Sequence, residues 1–554
     1  MTDLQGAIFV KHLAGLCALL LVSAGPASGQ AAQPTPDAVA QADKLFGTMA
    51  ADRPGAVVLV TRKGQTVYSR AFGAADLEQG VAIKADTRFH VASVSKQFTA
   101  LAIALLAKDG KIRLDEDIHT YLPELPDFGA RITVADLLHH TSGLRDQWEL
   151  LVLSGHNAQD LLTQGGILAL VQKQGELNFA PQTEYRYSNT GYTLAAEIVA
   201  RVSGMPFRRF VQERIFTPLG MTNSLIYDNA AEIVPGRANS YAVSPSGTVL
   251  HRRLNYSNFG ATSMITTAAD LDKWAQELRA PKLFDPAFIQ SLHAPLRLKD
   301  GTLSNYGLGL YKDPVRGRLA IMHGGADAGF RTLFATYPAE DASIIILTNG
   351  SADMTPLHEG LVDIFLNDGA APPPTVQPKP AELARLVGYY SSGWGPGLEL
   401  KLQDGKLVRS GGSAAPASFR KDGLIEFTGP VTRFRIAKSA GGQVTALDEL
   451  PTAGTPVRYE RLERKPVAAA ELPAFAGRYR SEELDTTYRL VVAGEGLALT
   501  SLQFTDPIQL TSVGADRFDF PMGRILFTRG ADGKPNGFKL TSGRARNLRF
   551  ERVD

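Results

Sequence analysis

The chain has 554 residues, of which 44% are apolar and 21% charged, with a formal net charge of +2. That balance excludes a chain disordered throughout and argues against a dedicated nucleic-acid binder, whose footprint is strongly basic. A single cysteine, Cys17, excludes a disulfide scaffold and a cysteine-based metal site.

Met1 to Gly29 reads as a secretory signal peptide. Lys11 and His12 precede the apolar run Leu13 to Val22, and Ala27-Ser28-Gly29 supplies small residues for cleavage. The run is shorter than the roughly 20 apolar residues of a membrane span. A secreted or periplasmic location is therefore expected, with no membrane span in the mature chain. Residues 30–40 are rich in Ala, Gln and Pro and read as a flexible leader.

Ala56 to Val60, a Lys63-Gly64 turn and Thr66 to Ser69 predict a hairpin. Gln97 to Lys108 predicts a helix that is apolar nearly all round, stopped by Gly110. Val134 to His139 and Tyr192 to Val202 read as further helices, and Ser343 to Leu347 as a buried strand. Residues 370–380 hold five prolines and read as a semi-rigid linker. Beyond it come short alternating strands with glycine turns. Leu386-Val387-Gly388-Tyr389-Tyr390-Ser391 resembles Phe475-Ala476-Gly477-Arg478-Tyr479-Arg480-Ser481, which predicts two related β units, 381–465 and 466–554. The expected organisation is a signal peptide over 1–29, a main domain over 40–369, the linker, and these two units.

Three short boxes carry candidate chemistry. In Ser93-Val94-Ser95-Lys96, Ser93 and Lys96 stand at i and i+3 where the apolar helix begins, so hydroxyl and amine can meet on one face. Serine needs a base to become nucleophilic, and burial can lower a lysine enough to serve. Tyr187-Ser188-Asn189 offers a phenol that can share a proton with that lysine and an amide for a substrate amide. His323-Gly324-Gly325, followed by Ala326, would form a strand edge open to a substrate backbone. The Ala326 and Ser93 N–H groups could then meet an oxyanion. Each box alone is better explained as a helix cap, a packed tyrosine or a glycine turn.

Together, in this order, the boxes resemble the serine β-lactamase and penicillin-binding superfamily. The branch is that of class C β-lactamases, D,D-carboxypeptidases, D-aminopeptidases and esterases. His139-His140-Thr141-Ser142-Gly143-Leu144, Pro218-Leu219-Gly220-Met221 and Tyr306-Gly307-Leu308-Gly309-Leu310 strengthen the likeness, which runs from about Thr48 to Asp368. It implies an α+β fold: an antiparallel sheet flanked by helices, with a helical subdomain, here followed by antiparallel β-barrel-like units. It also implies Ser93 as the acylated nucleophile, Lys96 and Tyr187 as proton handlers, Asn189 on the substrate amide, and Ser93 and Ala326 as oxyanion donors. His323, Gly324 and Gly325 would line the substrate's far wall.

True β-lactamases of the branch usually carry lysine where His323 stands. Histidine titrates near neutrality and brings no permanent charge. The expected activity is therefore a peptidase or amidase of D-aminopeptidase or D,D-peptidase type, or an esterase. The alternatives are a class C-like β-lactamase and a non-hydrolytic penicillin or peptidoglycan sensor. Small molecules or short peptides are the expected substrates, with peptidoglycan a candidate partner and nucleic acid not expected. Arg331 reads as an exposed strand residue, the alternative being a carboxylate ligand. His139-His140 does not read as a metal site, because adjacent histidines diverge on a helix. No cofactor is implied.

Overall fold

A computed structural model describes residues 34–156, 160–244, 246–366, 374–410, 416–427, 432–439, 441–501 and 506–554. The proposed signal peptide, Cys17 and the first part of the proline-rich segment lie outside them.

The central sheet has six strands, all antiparallel: Tyr311–Val315, Arg318–Asp327, Phe330–Tyr337, Ala342–Thr348, Ala56–Arg62 and Gln65–Phe72, in that order across the sheet. The first and last β segments of the domain are thus neighbours, with Ala56 opposite Thr348. Every residue of Ala342–Thr348 is buried. Successive side chains alternate between two cores. Ile345 and Leu347 join a core with Phe98, Leu101 and Trp274, whereas Ile344 and Ile346 join one with Leu357 and Leu361. A strand covered on both faces is continuously apolar rather than alternating, as Ser343 to Leu347 is.

The apolar helix runs from Lys96 to Lys108, one residue earlier than expected, and everything from Lys96 to Leu106 is buried. The other expected helices extend over Val134–Leu138 and Asn189–Ser203. The leader reading fails in part. Pro36–Leu45 is a helix, with Thr35 Oγ1 accepting the Ala38 N–H at 3.2 Å and proline in the first turn. It buries Ala42 in the second core, beside Leu357 and Leu361. A proline in the first turn costs a helix nothing, because that N–H has no partner in any case. The same rule explains why Pro380, expected within the linker, instead opens a helix over Pro380–Leu386.

The tail forms an eight-stranded sheet over residues 388–462 and a closed eight-stranded barrel over 477–552. The fold class is the expected one, barrel-like tail included. The two units repeat in detail. Gly388 and Gly477 have φ of 155° and 154°, and the space a Cβ would need is occupied by Arg461 in one and by Arg552 and Asp554 in the other. The Tyr390 hydroxyl donates to Leu386 O at 2.9 Å, and the Tyr479 hydroxyl to Phe475 O at 2.9 Å. Arg461 donates to Val387 O at 2.7 Å, and Arg552 to Ala476 O at 2.7 Å.

The barrel docks on the main domain through its last hairpin. Leu150 and Leu153 of the helix Gln147–Ser154 join the barrel core. Asn178 Nδ2 donates to Arg544 O at 2.9 Å, and the Arg546 N–H donates to Asn178 Oδ1 at 2.7 Å. This contact carries Arg544 toward Tyr187.

Candidate active site

Ser93 sits in a 3₁₀ turn, Ala92–Ser95, just ahead of the long helix. In such a turn i and i+3 eclipse, so Ser93 and Lys96 are superposed more closely than an α-turn would place them. The turn is built under strain. Ala92 has φ of 48°, a left-handed value that a non-glycine residue adopts at a cost of about 1–3 kcal/mol. Its neighbours hold it there. Ser95 Oγ donates to Ala92 O at 2.6 Å and accepts the Met264 N–H at 3.0 Å. The Val91 N–H donates to Met264 O at 3.0 Å. Ser95, the other serine of the box, is thereby a brace.

Lys96 is fully buried. Its Nζ lies 3.1 Å from Ser93 Oγ, 2.7 Å from Asn189 Oδ1 and 2.7 Å from Ala261 O. Burial pushes the amine well below its usual 10.5, against the opposing pull of Asp146. Two of its partners are carbonyl oxygens and can only accept. A neutral amine therefore spends both N–H groups on them and turns its lone pair toward the Ser93 hydroxyl.

The Tyr187 ring lies 4.9 Å from Lys96 Nζ. Its hydroxyl interacts with Ser93, while burial lifts its pKa well above 10, so the phenol keeps its proton. Asn189 opens its helix and is anchored from behind. Asp146 Oδ2 accepts both its N–H, at 2.6 Å, and its Nδ2, at 2.8 Å. Its Oδ1 holds Lys96, and a second Nδ2 proton remains for a substrate amide. Asp146 also caps the helix Gln147–Ser154 through the Trp148 N–H.

The strand Arg318–Asp327 forms the opposite wall. Its pairing with Tyr311–Val315 ends at Met322, which leaves one edge open from His323 onward. Gly325 is required there. A Cβ on it would stand 2.4 Å from Val91 O and 3.2 Å from Ala92 Cβ, inside the turn that carries Ser93. Gly325→Ala is expected to cost about 1–3 kcal/mol in denaturant unfolding, as overpacking does. Its turnover should fall as well, because the yielding segment carries Ser93. A fully active variant would show that the approach is not needed.

His323 does not behave as its free side chain would. It is buried, Nδ1 lies 2.6 Å from Gly324 O, and Nε2 lies 2.9 Å from the Tyr306 hydroxyl. A carbonyl only accepts, so Nδ1 carries the proton and Nε2 accepts from Tyr306. Burial brings it down to about 3. The wall expected to titrate near neutrality is uncharged there.

A cleft of about 980 Å³ is lined by Ser93, Tyr187, Asn189, His323, Gly324, Gly325 and Ala326. Lys96 lies beneath its floor. Every residue singled out from the sequence is thus brought together. Arg331 is a correction: it is half-buried and lines the same cleft, with Nη1 donating to Ala328 O at 3.2 Å and Phe330 O at 2.7 Å. His140 packs 4.2 Å from the Tyr187 ring, centroid to centroid, and its Nδ1 accepts the Ser188 N–H at 3.1 Å. No cluster of metal-ligating side chains occurs among the described residues.

Four contributors escape the sequence reading: Asp146, Ala261, Asp327 and Arg544. Asp146 had a signal, a helix cap before the apolar Trp148 to Leu153. Asp327 is held by Thr262 Oγ1 at 2.8 Å, His90 Nε2 at 3.1 Å and the Tyr256 hydroxyl, and lines the cleft. Ala261 and Arg544 act through a backbone carbonyl and a distant hairpin, which leave no local pattern.

The family described as Beta-lactamase matches residues 42–365. A D-aminopeptidase of Brucella anthropi is 27% identical over 90% of this chain and 95% of its own length. Penicillin-binding protein 4* of Bacillus subtilis (strain 168) is 30% identical over 53% of this chain and 68% of its own. Among solved structures, a penicillin-binding protein homologue from Pyrococcus abyssi covers 84% of this chain and 98% of its own, with a TM-score of 0.54 and 19% identity. That last likeness is one of fold.

Proposed function

The chain belongs to the beta-lactamase family and is a serine hydrolase; from that premise we propose a peptidase or amidase that works through an acyl-enzyme on Ser93. The observation that carries the reading is Ser93 Oγ at 3.1 Å from a buried Lys96 amine whose other two partners are acceptors only. Lys96 takes the proton as Ser93 attacks the substrate carbonyl. Tyr187, which keeps its own proton, donates it to the leaving nitrogen, and the proton that Lys96 took from Ser93 then passes to Tyr187. The Ser93 and Ala326 N–H groups meet the oxyanion. Water then attacks the ester by the same path reversed.

The D-aminopeptidase relative spans nearly the whole chain, tail included, which supports a short substrate with a D-residue on the acyl side. The uncharged His323 stands where true β-lactamases of the branch usually carry a charged lysine, which weighs against a β-lactamase. Purified protein offered D-alanyl amides, D-Ala-D-Ala peptides, p-nitrophenyl esters and nitrocefin should turn over the amides or peptides fastest. Nitrocefin as the best substrate would replace this reading with a lactamase, and stable penicillin labelling without turnover would replace it with a sensor. We also propose export of the enzyme. N-terminal sequencing of protein from the periplasmic fraction should begin at about residue 30, and an intact Met1 would refute that.

A further inference from the structure

The active-site cleft does not end at Tyr187. Tyr187, Thr452, Ala453 and Arg544 line both it and an adjoining cavity of about 270 Å³. That cavity in turn shares Arg186, Trp394, Glu449 and Tyr459 with a third, of about 750 Å³, between the two β units. The three cavities therefore adjoin in series from Ser93 into the tail, and two guanidinium groups stand along the series.

Arg544 comes from the last hairpin of the barrel. Its guanidinium carbon lies 5.7 Å from the Tyr187 ring centroid, and its side chain is 33% exposed. It forms long ion pairs with Asp146 and Glu149, at 3.5 and 3.8 Å, and both carboxylates also have hydrogen bonds elsewhere. Asp146 holds Asn189 and Trp148, and Glu149 accepts from Ser542. Arg186 is further inside. It stacks on Trp394 at 3.9 Å, and its Nε is buried without a partner. The neighbouring Arg546, which also stacks on Trp394, is paired with Glu184 at 3.0 Å. Among the described residues neither Arg544 nor Arg186 makes a side-chain hydrogen bond. Guanidinium is a planar donor fork matched to carboxylate. The other basic groups of the wall are spent: His323 is neutral, Lys96 is sealed below, Arg331 is tied to carbonyl oxygens, and Arg433 is paired with Glu426 and Asp313.

We propose that Arg544 and Arg186 form an anion subsite beyond Tyr187, which selects substrates whose departing part ends in a free carboxylate. The inference rests on Ser93 acylation and names the leaving group. Arg544 holds the carboxylate in the Michaelis complex, and Arg186 draws the released product into the adjoining cavities. The tail is then part of the specificity machinery, since deleting it removes Arg544.

The test is a matched pair, a D-Ala-D-Ala peptide as free acid and as C-terminal amide, with the full chain. The native enzyme should favour the acid at least tenfold in kcat/KM. Arg544→Gln should lower that preference at least tenfold, chiefly through KM, and Arg544→Lys should restore part of it. Arg186→Gln should lower it less. A preference that moves under twofold in Arg544→Gln, or a native enzyme indifferent to the pair, would overturn the subsite. A p-nitrophenyl ester assay separates this from failure of the parent reading. Ester turnover lost in Ser93→Ala, together with an unmoved acid preference, removes the subsite alone. Ester turnover that survives Ser93→Ala removes both. Thermal melts of the variants exclude misfolding as the cause.

Discussion

Ser93→Ala is expected to lower hydrolysis of the best substrate by on the order of 10⁴–10⁶-fold and to abolish labelling by a fluorophosphonate. The size follows from what the hydroxyl does. In the proposed mechanism Ser93 Oγ, within reach of the Lys96 amine, is the attacking atom, so its loss removes the covalent path itself. What remains is binding and oxyanion stabilisation of a direct attack by water. Ser95→Ala is the matched control. Its hydroxyl braces Ala92 and Met264, so the variant should melt earlier yet still label. Labelling that persists in Ser93→Ala would place the nucleophile elsewhere and end the proposed mechanism.

The residues most readable from the sequence are those whose chemistry is written locally. Ser93 and Lys96 are three apart, so their contact follows from a single helical turn. Gly325 is legible as a glycine that admits a substrate backbone, but the Val91 carbonyl that its missing side chain answers to comes from the other end of the domain. Tyr390 and Tyr479 stand in a repeated string, and their hydrogen bonds repeat with it. Less readable is what surrounds them. Lys96 is poised by Ala261 O, which any residue type could supply. Its burial depends on elements from across the domain. His323 looked titratable because its type is, and only the enclosing Tyr306 and Gly324 O make it neutral. Arg544 lies some 450 positions from Ser93, and nothing local in a barrel hairpin says which pocket it enters. The leader helix is a different lesson. Thr35-Pro36-Asp37 is a capped start, and the Ala and Gln content around it concealed that signal.

Lys96→Ala is expected to lower kcat/KM by about 10²–10⁴-fold, the range for losing a positioned general base. The pH dependence distinguishes a base from a structural cation. Burial lowers the amine well below 10.5. Activity of the native enzyme should therefore rise with pH as the ammonium loses its proton, with the midpoint far below that of a free lysine. Tyr187 is pushed the other way and stays protonated through the same window. In Lys96→Ala that rising limb should disappear from the residual rate. Lys96→Arg separates the roles further. Arginine keeps the charge and a donor for Asn189, yet it cannot give up a proton in a protein. If Lys96 works as a base, arginine should be as poor as alanine. If it works as a fixed cation that orients Ser93, arginine should recover most of the rate and the limb should be absent in the native enzyme too. That second outcome would transfer the proton's path to Tyr187, whose hydroxyl is the other group in contact with Ser93.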